Sequence, residues 1–94
     1  MATRNTPIYA EPDLWLDDDH FIEWSYEHGE ITGILTWHIN KATGAWCLGA
    51  VQWAGQNQPQ WQLVSREPLT ISPSVLCNIC GDHGFIRDGK WIVA

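Results

Sequence analysis

A chain of 94 residues has room for one small domain and not for two. Charged residues make up 17% and hydrophobic residues 45%, with seven tryptophans, which excludes the charge-rich, aromatic-poor composition of a disordered chain. The net charge is −6, and five basic residues are too few to build the cationic face that direct nucleic-acid binding needs.

The acidity is concentrated. Eight of the eleven acids (Glu11, Asp13, Asp17, Asp18, Asp19, Glu23, Glu27, Glu30) lie in the first 30 residues, with Arg4 as the one base there. Such a face keeps a tryptophan-rich protein soluble, and with exposed tryptophans it offers a surface to another protein. No apolar run approaches the roughly 18 residues of a membrane span. The N-terminus MATRNTPIYAEPD lacks the basic-then-apolar pattern of a secretion signal, so a soluble, cytoplasmic protein without membrane contact is expected.

In chain order, residues 1–19 read as an irregular arm, interrupted by Pro7 and Pro12, that packs on a single domain over 20–94 through Ile8, Tyr9, Leu14, Trp15 and Leu16. Residues 20–27 lean towards β structure, and His28-Gly29-Glu30 reads as a turn. Residues 31–39 alternate, with Ile31, Leu35, Trp37 and Ile39 on the strongly apolar face and Thr32, Ile34, Thr36 and His38 on the other. Residues 45–53 are a hairpin partner, 55–59 a polar loop, 60–65 a fourth strand and 69–71 a short fifth. Ser72-Pro73-Ser74 offers a turn or a helix cap, and Val75–Cys80 has room for one helical turn at most. Asp88-Gly89 between two apolar runs is a strong hairpin signal. The expected fold is mostly β, a small antiparallel sheet with a C-terminal hairpin and a zinc-knuckle-like turn.

Three cysteines without a secretion signal argue against a disulfide framework. Cys77-Asn-Ile-Cys80-Gly-Asp-His83-Gly sets two thiols and an imidazole at C-x2-C-x2-H spacing, with glycines that allow a tight loop around one tetrahedral ion. Zn2+ in a structural site is expected, held by Cys77, Cys80, His83 and a fourth ligand, Cys47 or alternatively His38. Asp17-Asp18-Asp19 reads as a solvated run, and His20 and His28 as surface residues. Ser72 and Ser74 read as turn residues, because no His–Asp pair is placed to activate either one and no G-x-S-x-G elbow is present.

From Leu69 to Ala94 the chain resembles a family of small, uncharacterised, predicted metal-binding proteins of bacteria and their phages. Ser72-Pro73-Ser74, Cys80, His83, Phe85-Ile86, Arg87 and Gly89 match its C-terminal pattern. The family's cysteine-and-glycine cluster has no direct counterpart here, where Trp37-His38 and Cys47-Leu48-Gly49 stand instead. The resemblance implies a compact zinc-binding module of phage or bacterial origin and brings no activity. The resulting expectation is a protein–protein interaction module with structural zinc, an accessory or inhibitory protein and not an enzyme. The alternatives are a zinc hydrolase with an open three-ligand site and Asp82 as base, or a metal-free acidic virion component or decoy.

Overall fold

The structure, a computed structural model, describes residues 6–55 and 60–94. Two four-stranded antiparallel sheets pack face to face. The first holds β1 (Leu14–Asp17), β2 (His20–Glu27), β3 (Glu30–Ile39) and β4 (Trp46–Gln52), in that spatial order. The second holds β5 (Gln62–Arg66), β6 (Leu69–Leu76), β7 (His83–Arg87) and β8 (Lys90–Val93), likewise in order. Each sheet is a meander of hairpins. Two of the turns are His28-Gly29 and Asp88-Gly89, with φ of 52° and 82° and of 52° and 73°, the doubly positive φ that a type I′ turn requires.

The mostly β expectation is met, with two sheets in place of one. Leu14–Asp17, read as part of the arm, forms an edge strand paired with β2. Residues 1–5, the start of that arm, and 56–59, most of the polar loop, lie outside the described residues. Among the described residues no helix is long and apolar enough to cross a membrane. The room for one helical turn after Ser74 is not used, and β6 instead continues through Pro73 to Leu76. Its pairing with β5 ends at Gln62 opposite Ser72, and its register with β7 shifts between Ile71 and Val75. Proline is tolerated at such an irregularity, where no ladder hydrogen bond has to be donated.

The core between the sheets is formed by Leu16, Ile22, Ile34 and Val51 from the first and Leu69, Ile71, Val75 and Ile86 from the second. On β3 the buried face is therefore Thr32, Ile34, Thr36 and His38, not the more apolar one. The other face finds its own cover. Phe21, fully buried, lies against Trp15 (4.8 Å between ring centroids), Trp46 (5.2 Å) and Trp37 (5.8 Å). This aromatic layer occupies the outer face of the first sheet, so both faces of that sheet are apolar. His38 accordingly points between the sheets.

Candidate functional site

Antiparallel register brings three polar side chains into one row at the end of the first sheet. His20 pairs with His38 across β2 and β3, and His38 pairs with Cys47 across β3 and β4. The β6–β7 connection, residues 77–82, folds over this row. Its loop is closed by the Cys77 amide donating to the Asp82 carbonyl (2.8 Å) and the Gly81 amide donating to the Cys77 carbonyl (2.9 Å). Gly81 has φ of 79°, a conformation that a side chain would strain.

Side-chain donor atoms of His38, Cys47, Cys77 and Cys80 thereby lie within 4.8 Å of one another, and His38 Nε2 is 3.1 Å from Cys80 Sγ. One imidazole and three thiols form a closed tetrahedral donor set of the kind that structural zinc takes, with adjacent donors about 3.8 Å apart once metal–sulfur bonds of about 2.3 Å form. The four groups can hold a metal ion after small side-chain adjustments. Electrostatics agree with that role. Burial lowers the His38 pKa, with Asp82 opposing and His20 reinforcing the shift, so the ring keeps a free lone pair. Burial raises the Cys47 thiol to about 11, and the neighbouring Cys77 and Cys80 add to the effect. For Cys77 burial also acts against ionisation, but the backbone hydrogen bonds from Cys80 and Ile79 outweigh it and lower the pKa. The loop thus favours a thiolate at Cys77, while Cys47 waits for a cation.

His83, expected as a ligand, is not in this group. Its Nε2 lies 2.8 Å from the hydroxyl oxygen of Ser74. The reason is strand alternation. β7 begins at His83, so Gly84 and Ile86 face inward and are buried while His83 faces out. Across the ladder His83 pairs with Leu76, and Ser74, two residues earlier on β6, shares that outer face. His38 and Cys47, held as alternatives, both join the cluster. Cys77, Cys80 and His83 therefore do not make an open three-ligand site. Asp82, the base of that alternative, is turned towards His20, with 2.5 Å between its Oδ2 and His20 Nε2.

His20, read as a surface residue, is 8% exposed. Its other ring nitrogen is 2.7 Å from Asp17 Oδ1, and its ring stacks on Trp91 at 4.2 Å. Nothing in the sequence spacing signals this contact, which joins positions 62 residues apart. A cleft of about 390 Å³ opens between β4 and the β6–β7 connection, edged by the exposed Leu48, Leu76 and Ile79, and neither Ser74 nor His83 lines it. The Trp61 indole lines it and donates from Nε1 to the Ser74 carbonyl (3.2 Å).

Residues 37–94, more than half of the chain, match the family described as bacterial ubiquitination-like system serine protease (BubE). The chain belongs to that family. No curated protein and no solved structure matches it. The match bears out a bacterial family, as the C-terminal signature implied, but its description names a protease and says nothing of a metal. It overturns the expectation of a protein without enzymatic activity. It also directs attention to the serines that the sequence reading set aside as turn residues. Of these, Ser74 is hydrogen-bonded to a histidine.

Proposed function

We propose that the chain is a small serine peptidase in which Ser74 is the nucleophile, His83 the general base, and a zinc ion held by His38, Cys47, Cys77 and Cys80 staples the hairpin that carries both. The observation that carries this reading is the 2.8 Å contact between Ser74 Oγ and His83 Nε2 in a member of a serine protease family. A nucleophile and base within hydrogen-bond reach are the minimum arrangement for acyl transfer.

Ser74 Oγ attacks the carbonyl carbon of an amide while His83 Nε2 takes the hydroxyl proton. His83 then returns that proton to the leaving nitrogen as the C–N bond breaks, leaving an ester on Ser74. Water, deprotonated by His83, hydrolyses the ester and restores the serine. Among the described residues no carboxylate is hydrogen-bonded to Nδ1 of His83, so the pair acts as a dyad. The family description supports a peptide or isopeptide bond of a bacterial ubiquitination-like system as the bond cut. The zinc supplies folding energy and no chemistry at the scissile bond, since four protein donors leave no open position.

The test is labelling with a fluorophosphonate, followed by mass spectrometry of the modified peptide. Labelling is expected on Ser74, absent in Ser74→Ala and slowed at least about 100-fold in His83→Ala, the low end for loss of a general base. Absence of labelling at Ser74 in the folded protein, or labelling undiminished in His83→Ala, refutes the peptidase reading. Elemental analysis of the same preparation is expected to find one zinc per chain.

A further inference from the structure

His83 is the second of three consecutive residues whose neighbours on both sides are held by one aromatic stack. On one side, Asp82 turns its carboxylate inward to His20 Nε2 at 2.5 Å. On the other, Gly84 lies flat against Trp91, and a Cβ built there would fall 2.5 Å from Trp91 Cε2 and 2.7 Å from the Ile92 carbonyl. The two contacts are one unit, because the Trp91 and His20 rings stack at 4.2 Å with their planes 16° apart. Asp17 holds the far nitrogen of His20 at 2.7 Å. The backbone from which His83 emerges is therefore gripped before and after it, while its own side chain faces outward to Ser74.

We propose that His20 and Trp91 are positioning residues for His83, doing through the backbone what an orienting carboxylate does through the second ring nitrogen in a triad. The inference rests on the reading of Ser74 and His83 as a catalytic pair. It goes beyond that reading because His20 and Asp17 lie on the strands that precede the family-matched segment, which begins at residue 37. Proximity argues for a measurable effect: a displacement of about 1 Å of a reacting group can lower a rate on the order of 100-fold. Trp91 also provides an internal control. Its Nε1 is buried and has no hydrogen-bond partner, so the ring, not the N–H, makes the contact.

The experiment is fluorophosphonate labelling of Ser74 in the metal-replete full chain, analysed for the maximal rate constant and the half-saturating probe concentration. The variants are His20→Phe, which keeps a ring on Trp91 and removes both hydrogen bonds, Trp91→Phe, which keeps a ring and removes the unpartnered N–H, and Trp91→Ala. Thermal melts and zinc content follow the fold in each. The maximal rate constant is expected to fall tenfold or more in His20→Phe, with the half-saturating concentration unchanged, and to stay within twofold of the parent in Trp91→Phe. Trp91→Ala is expected to fall as His20→Phe does, so that the phenylalanine variant counts as the rescue. Parent-like rate constants in a folded His20→Phe overturn the inference and leave the catalytic pair standing. A parent chain that is folded and does not label at Ser74 overturns both.

Discussion

Removing the metal is the perturbation whose size the architecture bounds best. His38 and Cys47 stand on the first sheet, and Cys77 and Cys80 on the connection between two strands of the second. An ion held by these four donors would cross-link the two sheets. Without an ion the sheets are held, among the described residues, by a core of eight buried apolar residues, the half-buried side chains packed on it and contacts such as His20–Asp82 and His20–Trp91. For 94 residues a net stability of about 5–14 kcal/mol is typical, at about 0.05–0.15 kcal/mol per residue. A structural zinc contributes about 10 kcal/mol or more to such small domains, so zinc bound at this cluster would account for most of that stability. At about 4–8 °C per kcal/mol for a domain of this size, losing even 3 kcal/mol lowers the Tm by about 12 °C or more. The assay is a thermal melt read by tryptophan fluorescence, with and without a strong chelator, alongside zinc content. A large drop in Tm, reproduced without chelator in Cys47→Ser and Cys80→Ser, is the expected result. An unchanged melt after the metal has been shown to leave refutes the cross-link argument, and an unchanged melt with no metal present at the start refutes the metal site itself.

Two further outcomes test the electrostatics and the packing. Zinc binding at this cluster would have to displace the Cys47 proton, which is held up to a pKa of about 11, so competition titrations should show weaker binding at lower pH, by about tenfold per pH unit for each thiol proton displaced. His38, whose pKa burial lowers below the ordinary 6.5, should add no proton competition at neutral pH, and a pH-independent affinity between pH 6 and 8 would contradict the assignment of Cys47 as a ligand. In the core, Ile86→Ala should cost about 2–5 kcal/mol in chemical denaturation, because Ile86 is fully buried between the sheets, whereas Ile92→Ala, at 42% exposure, should cost less than about 1 kcal/mol. The reverse order would mean that the buried face of the C-terminal hairpin has been assigned wrongly.

The strands were legible because their signals are local. Asp88-Gly89 and His28-Gly29 supply the positive φ values of tight hairpins, and Cys77-x2-Cys80 marks a loop that two thiols can close. What failed needed knowledge of what lies across a face. On β3 the count of apolar side chains chose Ile31, Leu35, Trp37 and Ile39 as the core face, but a sheet whose outer side is roofed by its own tryptophans can bury the less apolar parity between sheets. His20 was unreadable for the same reason, since its partners Asp82 and Trp91 come from the other sheet.

His83 fails more instructively. Ser74, Cys77, Cys80 and His83 recur at intervals of three, and in a loop such spacing lets the last three groups converge on one ion. The loop, however, ends at Asp82, and from His83 onward the period is that of a strand, so one residue decides between facing the ion and facing the opposite side. A thiol pair and the Ser74–His83 pair thus share one hairpin connection, the first folded inward and the second turned out. Ser74 lies three residues before Cys77 and His83 three after Cys80, so fixing the two cysteines fixes the register at which the serine meets its histidine. The four-donor cluster and the Ser74–His83 contact are in this sense one structure, and a register slip of a single residue in β7 would turn His83 inward and break its contact with Ser74.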